Sequence, residues 1–480
     1  MSVVTQRAAR KGRWPEFFLL LLALSAGFLA YYLVHLGTGG EGMPGGLPMI
    51  VAASVVIVGA AHLIIRWLAP YADPVLFPAA LFLNGLGLAM IYRIDLADGT
   101  NAIKSQLLLT GVSLVFMVAT VALIKNHRLL RGYMWLSLIA GIVLLLLPMV
   151  PGLGRANYGA RIWINLAGFS FQPAELAKIF FAIFFAAYLA QERDNLSLAG
   201  PKILGIRFPK ARHFLPILLA WGISMSVLAV EKDFGTALLF FGLFVALLYV
   251  ATERVSWLVI AGVLTAIGIF AIVQAVPHIQ ARFTVWLHAL DPEVYDAQYG
   301  SYQLVQGLFG MASGGLMGTG LGEGYPTMAF AANSDFIIAS FGEEIGLTGL
   351  LALLSVYVVI VMRGMRTAVH LRDGFGKLLA TGLSFTIALQ CFVVVGGVTR
   401  LIPLTGLAMP FLAHGGSALL TNWIIIGILL RMSDASRRPA TSDPLPPRDI
   451  LATIPEMDDT TEPHESNEED SQLTQVVRIK

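Results

Sequence analysis

Residues 331–362 read AANSDFIIASFGEEIGLTGLLALLSVYVVIVM. A polar approach gives way at Asp335 to a run long and apolar enough to cross ~30 Å of hydrocarbon as a helix. A carboxylate at such a boundary is costly to dehydrate, so it has a task or a partner. One reading is a helix cap, in which Ser334 or Asp335 accepts the first free backbone N–H groups of the helix that follows. The other is a functional acid, and it depends on whether other charged residues reach the same membrane face. Along an ideal helix Glu343 lies ~12 Å deeper than Asp335. Glu343 and Glu344 are therefore read as interior groups with a structural role.

Eleven further runs of this kind occur in the 480 residues, of which 56% are hydrophobic and 13% charged. Soluble domains carry about 25% charged residues, so the chain reads as an all-α, polytopic transmembrane bundle. The twelve spans run approximately 16–36, 47–69, 74–92, 103–124, 132–150, 173–191, 213–230, 234–251, 255–276, 334–362, 377–400 and 411–431. The tenth is long enough to tilt or to project from the bilayer.

Basic residues set the orientation. Arg7, Arg10, Lys11 and Arg13 precede the first span, and Lys125, Arg128 and Arg131 follow the fourth. Arg193 to Arg212 and Arg363 to Lys377 fill two later loops on the same side. That side is expected to be the cytosol, with both termini in it, and loops 151–172 and 277–333 outside. The organisation is then a basic N-terminus (1–15), a membrane bundle (16–432) and an acidic tail (433–480). From Ser433 onward there are 11 acids and 5 bases. That segment has too little apolar surface to fold and is expected to be disordered.

Several chemistries lack their residues. Cys391 is the only cysteine, which excludes a disulfide framework and a cysteine metal site. No H-E-x-x-H, Ser-x-x-Lys or Gly-x-Ser-x-Gly occurs. The Gly-rich run 314–324 has no Lys-Ser/Thr ending and is read as a loop permitting close backbone approach, not as a phosphate loop. Before it, Tyr302–Met311 has the apolar spacing of an interfacial amphipathic helix, with Gln303 and Gln306 interleaved.

Charged residues do recur near the expected outer face. Pro173 suits the first turn of span six, which places Glu175 and Lys178 on one face a turn inside the membrane. Each ion alone would cost ~2.5–3.5 kcal/mol at mid-depth, so they are expected to face inward and pair. EKDFGT opens span eight with Asp233 and Thr236 three apart, and Gly235 permits close helix approach. Arg161, Arg282 and Arg400 are cations on the side that is poor in them; they either snorkel to headgroups or bind an anion such as a diphosphate. Glu175, Lys178, Asp233, Arg282 and Asp335 thus suit one outward-open polar pocket.

Five ordered stretches carry a family resemblance: GARIWINLAGFSFQPAELAK, EKDFGTALLFF, RF…YQLVQGLFGMASGGLMGTGLGEG, SDFIIASFGEEIG and LIPLTGLAMPFLAHGGSALL. Together they cover residues 150–432 and resemble the SEDS family, which includes RodA, FtsW and SpoVE. The resemblance implies a peptidoglycan glycosyltransferase polymerising lipid II at the outer face of a bacterial plasma membrane, for elongation or division. It implies a core of ten spans, with two more at the N-terminus here. Asp335 aligns with the family's essential aspartate, and Glu175, Lys178 and Asp233 match polar motif positions. Lys232 replaces a usual proline, and Ala413, His414 and Ala418 replace parts of a Ser-Tyr-Gly-Gly-Ser-Ser run that keeps Ser417.

On that basis Asp335 is the expected general base for the acceptor hydroxyl. Arg282, and after it Lys178, would stabilise the departing diphosphate, with assistance from a divalent cation (magnesium or manganese) left open. Arg161, Gln303, Gln306 and Ser417 complete the expected substrate contacts. The expected partners are lipid II, the lipid-linked nascent glycan and a class B penicillin-binding protein. The alternative is a lipid II flippase working through the same cavity.

Overall fold

The computed structural model describes residues 14–439, except 158–159, 167–168, 198–201, 204–205, 208–220, 223–225, 227–230, 232, 276 and 298–299. Thirteen helices concern the argument: α1 (Trp14–Gly37), α2 (Leu47–Leu68), α3 (Leu76–Asp98), α4 (Ala102–Leu123), α5 (Met134–Leu146), α6 (Pro173–Ser197), α7 (Phe234–Thr252), α8 (Val255–Ala275), α9 (Pro277–Leu287), α10 (Tyr302–Gly314), α11 (Ile337–His370), α12 (Gly374–Val398) and α13 (Gly416–Arg437). Ten helices among the described residues are long and apolar enough to cross a membrane. They coincide with ten of the twelve expected spans, and the chain is a multi-pass membrane protein. The expected span 255–276 is present as α8, whereas most of 213–230 and the tail from 440 on lie outside the described residues.

Burial orders the bundle. α6 and α13 lie at its centre, where Phe181, Phe184, Phe185, Leu189, Trp423, Ile425 and Ile426 are almost wholly buried. By contrast α1 and α2 leave Leu21, Leu22, Val56 and Leu63 exposed, as helices facing lipid do. α1 and α3 meet at Gly27 and Gly85, where a Cβ on Gly27 would stand 3.1 Å from the Gly85 Cα. Small residues let two backbones approach this closely in a membrane.

The all-α reading holds for the bundle and needs one amendment in its loops. β1 (Gly154–Asn157), β2 (Ala160–Leu166) and β3 (Phe169–Phe171) form an antiparallel meander just before α6, with Ile164 opposite Phe171. A two-residue pair, β4 (Lys202–Ile203) with β5 (Ile206–Arg207), lies in the next loop.

The second difference concerns the long span. α11 is not one continuous helix: Gly346 has φ 66° and ψ −175°, which breaks it into two. The break frees carbonyls and amides that would otherwise pair within the helix. The Gly-rich segment takes them up. Thr319 N donates to Glu343 O and Gly320 N to Glu344 O, both at 3.0 Å, while Leu347 N and Thr348 N donate to Gly315 O and Leu316 O at 2.9 and 3.1 Å. Gly318, at φ +86°, packs so closely on the Glu344 carbonyl that a Cβ there would overlap it. The expected close backbone approach of 314–324 is therefore present.

Glu344 helps to hold this junction. Arg93 of α3 donates through Nε to Glu344 Oε1 at 2.8 Å and through Nη2 to Gly324 O at 2.5 Å. Gly322 N donates to Glu344 Oε2 at 3.0 Å. At the opposite end of the bundle Asp73 meets Arg363 and Arg437, and Asp373 meets His127 and Arg128.

Candidate active site

Residues 399–415, between α12 and α13, contain no helix. Pro403 and Pro410 lack the N–H a helix needs, and Gly406 at φ +75° adopts a conformation other residues resist. The carbonyls of this segment stay available, and the charged side chains collect on them.

Arg282 of α9 donates through Nη1 to Leu404 O and Thr405 O, each at 3.1 Å. Arg400, at φ 60°, reaches back from the segment to the end of the same helix, with Nε 2.7 Å from Trp286 O and Nη2 2.8 Å from Leu287 O. Trp286 returns its indole N–H to Arg400 O at 3.0 Å. α9 is thereby docked on the segment with Arg282 aimed at its centre.

Asp233 caps α7. Its Oδ1 accepts from Thr236 N at 2.9 Å, and its Oδ2 accepts from Thr236 Oγ1 at 2.7 Å and Gln172 Nε2 at 3.3 Å. The bare Cα of Gly235 lets α7 approach the segment: a Cβ there would stand 2.8 Å from Thr405 O. One residue before α6, Gln172 N donates to the buried Ser417 Oγ at 2.8 Å, which ties α6 to the start of α13. Within α6, Lys178 Nζ lies 2.5 Å from Glu175 Oε2 and donates to Gln390 Oε1 of α12 at 2.9 Å. Gln390 in turn donates to Ala408 O at 2.9 Å.

Asp335 stands beside Gly406, its Oδ2 3.6 Å from the position of a Cβ there. It is not a helix cap. The N-cap of α11 is Phe336, with no side-chain cap bond, and Ser334 Oγ donates to Ala331 O instead. Among the described residues no hydrogen bond or ion pair engages the Asp335 carboxylate. Its placement comes from the backbone, where His414 N donates to Asn333 O at 2.7 Å. The departure from the family pattern at His414 leaves this contact intact, because it is made by the main chain.

Electrostatics single out the same residue. Asp335 precedes the span, and loss of hydration pushes its pKa up to about 6, with Arg282 drawing it down and Asp233 adding to the rise. Burial also raises Asp233, against the stabilising bonds of Thr236. Burial lowers Arg282, opposed by Asp233 and Asp335. Arg282, Asp233 and Asp335 thus act on one another at a site where one carboxylate is bonded and the other is not.

Of the residues expected from sequence, Glu175, Lys178, Asp233, Arg282, Asp335 and Ser417 come together around 404–417. Among the described residues, three make no polar contact with them. Arg161 is exposed on β2. Gln303 donates to Phe330 O at 2.5 Å and Gln306 to Tyr295 Oη at 2.9 Å, so both hold α10 to its own loop. Sequence reasoning passed over Gln172, Gln390 and Gly406. Gln390 had a signal, since an amide inside an apolar span needs a partner.

The donor set does not suit a resident divalent metal. Asp233 is engaged by Thr236 and Gln172, and Glu175 by Lys178 through one oxygen, so of these acids only Asp335 has both oxygens unengaged. Among the described residues no group of three or more His, Cys, Asp or Glu is placed to hold an ion.

The family model for the cell cycle proteins FtsW, RodA and SpoVE matches residues 74–438. The peptidoglycan glycosyltransferase RodA of Mycobacterium tuberculosis (strain H37Rv) is 45% identical over 439 residues, which is 90% of this chain and 92% of that protein. The probable peptidoglycan glycosyltransferase FtsW of Geobacter metallireducens is 31% identical over 370 residues, 75% of this chain and 94% of that one. Among solved structures, a chain from work on the structural coordination of polymerization and crosslinking by a peptidoglycan synthase complex shares the fold. Its TM-score is 0.56 at 20% identity, covering 89% of this chain and 98% of that chain.

Proposed function

Because this chain belongs to the FtsW, RodA and SpoVE family, we infer that it is a peptidoglycan glycosyltransferase, and we propose that it polymerises lipid II at the outer face of a bacterial plasma membrane. The observation that carries the mechanism is Asp335: an unbonded carboxylate beside Gly406, within the field of Arg282. Asp335 takes the proton from the acceptor sugar hydroxyl as that oxygen attacks the anomeric carbon of the donor. The bond to the lipid diphosphate breaks as the glycosidic bond forms, so one step inverts the anomeric centre. A base in hydrogen-bond reach contributes typically 10²–10⁴-fold.

Arg282 stabilises the negative charge that grows on the leaving diphosphate. Its two carbonyl contacts orient the guanidinium while leaving other N–H groups for phosphate oxygens. Lys178 acts at one remove, fixing Gln390 and through it Ala408. Asp233 and Ser417 hold α7 and α6 in place.

Both termini lie in the cytosol on this reading, and the Asp335 end faces outward. The chain has no acylation motif for cross-linking peptides, so a class B penicillin-binding protein is the proposed partner. The fold shared with a chain of a peptidoglycan synthase complex supports that pairing. The deciding experiment is polymerisation of purified lipid II by the purified chain. Glycan strands from wild type and none from a normally folded Asp335→Asn variant are expected; strands from that variant would remove Asp335 as the base.

A further inference from the structure

A cavity of about 340 Å³ opens between α10, the first half of α11 and residues 325–329. Its polar lining is Gln306, Ser313, Ser340 and Glu343, together with the Tyr325 ring, and no lysine or arginine faces it. Glu343 is only 6% exposed. Its Oε1 accepts from Tyr325 N at 2.8 Å. Its Oε2 points toward Gly310, 3.2 Å from where a Cβ would stand, and has no hydrogen-bond partner among the described residues. The neighbouring Glu344 takes Arg93, and Glu343 has no ion pair among the described residues. The expectation of a structural role for both therefore accounts for Glu344 and leaves half of Glu343 unexplained.

The other polar groups also present acceptors. Gln306 donates one of its two amide N–H groups to Tyr295 Oη and keeps its carbonyl oxygen as an acceptor. Ser313 and Ser340 donate to Gly310 O and Ala332 O, at 2.8 and 3.4 Å, leaving their lone pairs. A half-open set of acceptors carrying one negative charge fits a compact cation with three donors, which is a primary ammonium group. A metal ion fits less well, since among the described residues no third acid, histidine or cysteine joins the two glutamates.

We propose that this cavity binds a primary ammonium group on the peptide stem of the lipid-linked substrate; the identity of the ligand, though not the site, rests on the glycosyltransferase reading. The half-helix begins at Ile337, two residues after Asp335, and Glu343 lies six residues along it, ~9 Å from its start. A peptide of four or five residues, at ~3.3–3.6 Å each when extended, covers that distance from a sugar held at Asp335. The site would then select substrates by their stem while chemistry proceeds at the sugar.

Two probes test the site in the purified full-length chain: a soluble disaccharide with a lysine-containing pentapeptide stem, and the same compound with the lysine amine acetylated. Wild type should bind the free amine about tenfold more tightly. Glu343→Gln, which keeps an acceptor for Tyr325 N–H and removes the charge, should bind both compounds as wild type binds the acetylated one. Gln306→Leu should lose a smaller part of the preference, about threefold. Equal binding by wild type, or a preference that survives in Glu343→Gln with an unchanged melting temperature, overturns the site.

Polymerisation of the two corresponding lipid II forms separates this inference from the reaction. A KM about tenfold higher for the acetylated form at unchanged kcat supports the ammonium site, and equal use of both forms overturns it. A chain that binds the amine and polymerises neither form overturns the reaction and leaves the ammonium site standing.

Discussion

Lys178 Nζ lies 2.5 Å from Glu175 Oε2, one turn earlier on α6, with the two side chains 1% and 5% exposed. Neither ion has water to fall back on. Removing one strands the other, which costs several kcal/mol more readily than the intact pair stabilises. A double-mutant cycle with Glu175→Gln and Lys178→Met, read by thermal unfolding, should give a coupling of about 1–3 kcal/mol. Additive effects would show that Gln390 alone holds Lys178.

Asp335 should impose the lower limb of the pH profile. Its pKa is pushed up to about 6, chiefly by loss of hydration. The base works when ionised, so kcat/KM should climb through pH 6 and level off above it. The same shift acts on stability with the opposite sign. A carboxylate whose pKa is raised by folding disfavours the folded state as pH rises from the ordinary value through 6. Asp335→Asn should therefore be inactive yet melt a few degrees higher than wild type at pH 7.5; a lower melting temperature would assign Asp335 a structural bond.

Arg282 draws the Asp335 pKa down. Arg282→Met should shift the acid limb upward by about one pH unit and reduce kcat by roughly 10²–10³-fold, the range for losing one charge-stabilising donor. Asp233 acts with the opposite sign, so Asp233→Asn should move the limb downward. A limb that stays fixed in both variants would belong to another group.

Gly318 should tolerate no side chain. Alanine there meets both a positive φ and the Glu344 carbonyl, at a cost of about 1–3 kcal/mol. Thermal unfolding of Gly318→Ala measures it directly. Gly152→Ala, where the φ is also positive but nothing lies within 4 Å, should lose less, and a loss as large would trace the cost to backbone conformation alone.

The proposed partner should accelerate polymerisation even when its transpeptidase serine is removed, because packing and not acylation would transmit the effect. Full activity in the isolated chain, unaltered by the partner, would rule that coupling out.

The bundle was legible because apolar runs of membrane length have few other readings, and the motif order brought Asp233, Arg282 and Asp335 to one end. The Glu175–Lys178 pair followed from helical spacing and the cost of a lone charge. Other features depended on groups that carry no sequence signal. Residues 404–408 act through carbonyls, which every residue has, so nothing marked them as the place where Arg282 and Gln390 converge. The break at Gly346 was hidden for a related reason: one glycine in an apolar run is compatible with an unbroken helix, and only the partner segment 315–320 decides otherwise. The meander before α6 was missed because its strands are three to seven residues long.

The junction at Gly346 also sets what can move as a unit. Four main-chain groups there would be stranded away from water if 315–320 withdrew, and each would cost several kcal/mol in an apolar setting. Two of those bonds hold the first half of α11 and two hold the second, so keeping all four fixes the glycine-rich segment to both halves of the span at once. Asp335 sits at the entry to the span, two residues before the helix begins. The clasp thus resists rotation about that one glycine, and the carboxylate keeps a fixed depth relative to the part of the span seated in the bundle.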